Sequence, residues 1–231
     1  MTVTNAVAAG YVVRSNASFT QVTGNWTLPQ LNASLPVWSV NLWIGLGGFR
    51  AWTANNLAVD PFGHGSVRVG TMLTNSRSWC GCRGGFITVV FYVVVNGSYS
   101  WLLVGTGIPG NQIAASIRYQ PSNGQLFAQI ADQTWGSVYS LSTNDSGAHF
   151  HSAEWVLSEC AEICGAPLQT LAPIHFHYAR AEVGTQLRSI AGWGTPIRLK
   201  LLDPGAGTPV DATTSALWSH GAAFAVLWKS S

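Results

Sequence analysis

Short runs rich in Val, Ile, Leu, Phe, Tyr, Trp and Thr recur along the chain, separated by clusters of Gly, Pro, Asn and Ser. Alternation of apolar and polar residues with period two marks strands, and Gly/Pro/Asn clusters mark the turns between them. The pattern predicts strands near Tyr11–Arg14, Phe19–Leu28, Val37–Leu46, Ser66–Leu73, Phe86–Val95, Tyr99–Val104 and Gln112–Tyr119. Others are predicted near Leu126–Ala131, Ser137–Leu141, His149–Ser158, Leu171–Val183, Leu187–Ala191, Pro196–Leu202 and Ala222–Trp228. No amphipathic helical stretch competes with them. Val89 to Val95 is apolar on both faces, as expected of a strand inside a two-layer sandwich, and Asn96-Gly97 directly after it is a strong hairpin signal. There is no repeat and no linker, so residues 1–231 read as one all-β sandwich domain. The longest apolar stretch is far too short to cross a bilayer as a helix.

Composition changes the picture of the surface. Only 9% of residues are charged, and Lys occurs only at Lys200 and Lys229. A net charge of +2 on so weakly charged a chain gives no electrostatic footprint for nucleic acid. The scarcity of ionisable groups suits an acidic exterior, or a surface buried in an assembly. Asn-x-Ser/Thr sequons at Asn16, Asn25, Asn32, Asn96 and Asn144 would let glycans supply solubility; chance alone would give roughly two or three. Met1 to Val13 has neither the basic start nor the apolar run of a signal peptide. Cysteines come as two close pairs, Cys80/Cys82 and Cys160/Cys164, with three pairings open; disulfides are expected over thiolate metal ligation in an extracellular setting.

Ala153-Glu154-Trp155-Val156-Leu157-Ser158, followed by Cys160, Cys164 and Leu171-Ala172-Pro173-Ile174, resembles the signature strand pair of the acid glutamic peptidases, the eqolisins. Ala17 to Pro29, Leu42 to Gly48, Ser215-Ala216-Leu217 and Gly221 to Trp228 resemble further strands of that family in the same order, with an apparent insertion between Arg50 and His64. The resemblance implies a bent sandwich of two antiparallel sheets, a substrate groove on the concave face, a disulfide between Cys160 and Cys164, and secretion with a leader, making this a mature form. It also implies where the catalytic Glu and Gln should stand, and there the chain departs from the pattern. Ser158 occupies the place of the Glu. Arg68, in Val67-Arg68-Val69-Gly70, occupies the place of the Gln, and no Gln occurs between Trp43 and Trp101.

A carboxyl that activates water and an amide that stabilises an oxyanion must share one sheet face. Parity puts Glu154, Val156 and Ser158 on a common face, with Glu159 on the other. Glu154 lies too far along the strand from Ser158 to replace its carboxyl against a fixed partner. No Gly-x-Ser-x-Gly elbow surrounds Ser158, which argues against a serine nucleophile. Arg68 on the groove face would bind carboxylates or glycans, or form a structural ion pair with Glu154. Trp52, Trp79 and Trp193 lie in loops where they could stack on sugars or a partner, whereas Trp38, Trp43, Trp155 and Trp228 read as core. His149, His151, His175 and His177 form two His-Phe-His triplets that could converge on Zn or Cu, although parity turns the first pair away from the groove; no cofactor is otherwise expected. Thr2 to Val13 could add as a strand to a neighbouring subunit. The expected function is an extracellular binding or assembling protein without peptidase activity. The alternative is an acid endopeptidase using Glu154 or Glu159.

Overall fold

The computed structural model describes residues 2–5, 8–30, 39–49, 66–74, 88–96, 98–106, 108–146, 148–159, 172–202 and 210–228. Among them are β1 (Thr2–Asn5), β2 (Ala8–Arg14), β3 (Gln21–Thr27), β4 (Ser39–Leu46), β5 (Val67–Thr74), β6 (Thr88–Val95), β7 (Ser98–Thr106) and β8 (Gln112–Gln120). They continue as β9 (Gln125–Asp132), β10 (Ser137–Asn144), β11 (Ser152–Glu159), β12 (Ile174–Val183), β13 (Gln186–Ser189), β14 (Ile197–Leu202), β15 (Val210–Thr214) and β16 (Phe224–Trp228). Hydrogen bonding runs in the order β10-β9-β8-β3-β12-β16-β15-β14-β2-β11-β4-β5-β6-β7, with β13 added to β12. Every pairing is antiparallel except that of β1 with β14.

The path doubles back on itself, so β3, β8, β9 and β12 face β11, β4, β5 and β6 across the main core. Trp155 of β11 donates its indole N–H to the Thr23 carbonyl of β3 at 2.7 Å, and Trp26 of β3 donates to Thr71 Oγ1 of β5 at 3.1 Å. Phe91 meets Tyr139 at 5.3 Å between ring centres, and Tyr11 meets Phe224 at 5.0 Å near the turn between layers. A buried indole N–H without a partner costs free energy, and for Trp155 and Trp26 the facing strand supplies one. The first layer alternates buried and exposed residues, as on β8 and β9. In the second layer, β5 is buried along its whole length. That layer is covered on both faces, which is why its strands read as continuous apolar runs.

The sandwich, the apolar character of β6 and the two-residue hairpin at Asn96 (φ 50°), with Val95 opposite Ser98, agree with the sequence reading. Several expectations are corrected. The strand expected from His149 begins at Ser152, the one expected from Leu171 begins at Ile174, and the one expected to end at Ala191 gives way to a 3-10 turn over Ile190–Trp193. Trp193 is no free loop platform: its ring packs edge-on against Phe19 at 5.1 Å. β1 and β15 are additional. β1 pairs from Thr2 opposite Arg198 to Asn5 opposite Leu201, and β2 lies between β14 and β11, so both strands are paired within this chain's own sheet. Cys80, Cys82, Cys160, Cys164, Trp52, Trp79, Trp38 and Asn32 fall outside the described residues. Asn16 and Asn144 are exposed, and Asn25 and Asn96 half-buried. No helix among the described residues is long and apolar enough to cross a membrane.

Candidate functional site

Three adjacent strands bring the sequence-selected residues onto one face. Glu154 of β11 stands opposite Gly45 of β4, and Gly45 opposite Arg68 of β5. The next row on that face is Val156, Trp43 and Gly70, and the next Ser158, Asn41 and Met72. Period-two alternation makes these rows one surface, the face turned away from the main core. Val12, Trp43, Met72, Tyr92, Val94 and Val156 form a second apolar cluster on it.

Gly45 lets the two charges approach. A Cβ there would lie 2.7 Å from Glu154 Oε2, 3.0 Å from Arg68 Cγ and 2.9 Å from the Trp43 ring. The Arg68 guanidinium lies over that ring, its Cζ 4.9 Å from the centroid. A cation over an indole face is attracted by the ring quadrupole, more strongly once water is excluded. The other edge of the same ring donates Nε1–H to Ser158 Oγ at 3.0 Å. Trp43 therefore links Arg68 to Ser158.

Glu154 is 1% exposed and Arg68 5%. Ser152 Oγ donates to Glu154 Oε1 at 2.6 Å. Burial pushes the Glu154 carboxyl up to about 7, outweighing the Ser152 hydroxyl, the nearby Arg68 charge and the Phe49 backbone N–H, all of which favour the carboxylate. The arrangement thus holds a carboxyl that stays protonated in acid beside a guanidinium, inside a closed apolar face. Glu154 and Ser158 are four residues apart on β11, roughly 13 Å at strand rise, so the two cannot share one water. Glu159 closes β11 opposite Val40. The sequence brought out Arg68, Glu154 and Ser158; it missed Gly45 and the bridging role of Trp43, whose only signal was the Trp-Ile-Gly-Leu stretch itself.

Trp43 is 1% exposed, so its indole N–H depends on Ser158. Ser158→Ala is expected to lower stability by about 1–3 kcal/mol, the cost of an orphaned buried donor, read as a lower urea midpoint at unchanged slope.

The histidines do not converge. His149 and His151 precede β11, exposed, with rings stacked at 6.4 Å; His175 and His177 flank buried Phe176 on β12, exposed, with rings stacked at 6.1 Å. β11 and β12 belong to different layers and both pairs are exposed, so the two pairs are not brought together. Among the described residues no three His, Cys, Asp or Glu side chains are grouped to hold a metal ion.

A family model described as the peptidase A4 family matches residues 6–216. No curated protein matches the chain. Among solved structures, scytalido-glutamic peptidase with a transition-state analogue inhibitor is similar, with a TM-score of 0.69 at 12% identity over 97% of this chain and 99% of that one. SCP-B, a member of the eqolisin family of peptidases in complex with the tripeptide Ala-Ile-His, has a TM-score of 0.64 at 14% identity, with the same coverage. At such identities these likenesses concern the fold.

Proposed function

Because the chain belongs to the peptidase A4 family, we propose that it uses that family's sandwich as a secreted, glycosylated extracellular binding protein, for a polypeptide or a glycan, and carries out no glutamic peptidase chemistry. One observation supports this most. Ser158, in the place where the resemblance puts the catalytic Glu, offers a hydroxyl already engaged by Trp43, and the carboxyl that shares its face is sealed from solvent. General acid–base catalysis needs the proton-transfer group within hydrogen-bond reach of the reacting water or substrate. Among the described sequons, exposed Asn16 and Asn144 are the ones best placed for glycans.

The second reading, an acid endopeptidase using Glu154 or Glu159, draws on the raised Glu154 value, since raised carboxyls serve as catalytic acids. That same value works against it in acid. A carboxyl titrating near 7 stays protonated at pH 2–4 and cannot serve as the base that activates water there. Incubation with an unfolded protein across pH 2–7 decides between the readings, with the Glu154→Gln, Glu159→Gln double variant alongside. No new peptides are expected from either protein; peptides released by the wild type and not by the double variant would establish the relocated carboxylate.

A further inference from the structure

The outer side of β12 carries a second site that shares no residue with the face holding Arg68, Glu154 and Ser158. A cavity of about 470 Å³ opens there between β12, β13 and the turn after Trp218, lined by His177, Tyr178, Arg180, Leu187, Ser219 and His220 among others. Four described non-glycine residues have positive φ. One is Asn96 in its hairpin; the others, Tyr178 (51°), Ser219 (51°) and His220 (55°), all line this cavity. Such a backbone is uncommon for residues with side chains and a true outlier for bulky ones, and it persists where surroundings impose it, often at ligand sites. Here the surroundings are visible. Ala179 N–H donates to the Ala222 carbonyl at 2.9 Å, Ser189 Oγ donates to the His220 carbonyl at 3.0 Å, and Thr23 Oγ1 donates to the Tyr178 carbonyl at 3.3 Å. The register of β12 on β3 shifts between His177 and Arg180, and as a result two consecutive residues, His177 and Tyr178, both face solvent.

The distortion presents a defined chemistry. Tyr178 is 65% exposed, an aromatic face held out beside the cavity, and Leu187, 44% exposed, adds an apolar wall. Arg180, His177, His220 and Ser219 supply donors, and no Asp or Glu is among the lining residues. A guanidinium pairs with a carboxylate through two parallel hydrogen bonds, and small-ligand sites combine apolar or aromatic wall with a few convergent polar groups. We propose that this cavity binds a uronate-bearing saccharide, its ring against Tyr178 and its carboxylate on Arg180, with His177 and His220 donating beside it. The site stands whether or not the face holding Arg68, Glu154 and Ser158 has any chemistry.

The test is calorimetric titration of the full chain with trigalacturonate at pH 5, with maltotriose and triglutamate as comparisons. Saturable one-site binding of trigalacturonate is expected, at least tenfold tighter than either comparison, and weakened at least tenfold by Arg180→Ala and by Tyr178→Gly. Tyr178→Gly should leave the urea midpoint of the unliganded protein unchanged or higher, because glycine accepts that backbone without strain. Glu154→Gln should leave the binding unchanged. Absence of saturation, equal binding of triglutamate or of maltotriose, or full affinity in Arg180→Ala would overturn the proposal. Arg180 is exposed, so its variant decides the matter even if Tyr178→Gly fails to fold.

Discussion

Between pH 4 and pH 8 the wild-type protein should lose about 3 kcal/mol of stability that a Glu154→Gln variant keeps, at 1.36 kcal/mol for each pH unit by which the carboxyl is raised. The sign follows from burial. The folded-state value stands near 7 against an ordinary 4.5, so between those values the native protein holds a proton that the unfolded chain has released. Stability is therefore full below about 4.5 and falls as pH rises toward 7, the reverse of the usual salt-bridged carboxylate. For a chain of this length the difference corresponds to roughly 6–12 °C in thermal midpoint. Glutamine keeps the acceptor for Ser152 and the Phe49 amide while having nothing to ionise. Comparing the slopes of the two proteins cancels all other titrating groups, His177 included, whose value burial and His175 lower. Parallel slopes would mean that Glu154 ionises in the fold as it does in water. The direction suits a protein of acidic surroundings.

Gly10→Ala should cost about 4 kcal/mol or more, enough to prevent folding or to move the urea midpoint far down. Gly10 lies within β2, opposite Val156 on one side and Leu199 on the other, at φ 148°. A Cβ there would sit 2.1 Å from the Trp155 carbonyl oxygen and 3.0 Å from Val156 Cα. Both are backbone atoms of the neighbouring strand, so relief requires β2 to part from β11, the strand that carries Glu154 and Ser158. Gly110→Ala is the control: its φ is also positive, but no atom lies within 4 Å of the added Cβ, so only the backbone strain of about 1–3 kcal/mol is at stake. Similar losses in the two variants would contradict the close approach of β2 and β11.

Most of the sandwich was legible because burial writes itself into the sequence with period two, and because Asn96-Gly97 fixes a hairpin locally. β15 was not legible. Its Val-Asp-Ala-Thr-Thr is short and mostly polar, and its place between β14 and β16 is decided by strands on either side of it in space. β1 was hidden for a related reason, since a four-residue strand whose partner lies nearly two hundred residues away leaves no local trace. In the site, strand parity alone set Glu154 and Ser158 on one face and turned His149 and His151 away from it. Closure of that face was beyond the sequence, because whether a carboxyl is open or sealed depends on what lies over it. The approach of Arg68 to Glu154 likewise depends on Gly45, a residue with no chemistry of its own. The bulge at Tyr178 escaped notice because His-Phe-His-Tyr reads as ordinary alternation until the register against β3 shifts.

The account rests on the absence of a site that stabilises a tetrahedral oxyanion, and catalysis is tighter binding of the transition state than of the substrate. The most direct measurement is therefore calorimetric titration at pH 4 with a peptide-based transition-state analogue and, separately, with the parent peptide that lacks the tetrahedral centre. The two are predicted to bind equally, whether weakly or not at all. An analogue held about a hundredfold or more tighter than its parent peptide would show that the chain retains glutamic peptidase machinery and would contradict the account.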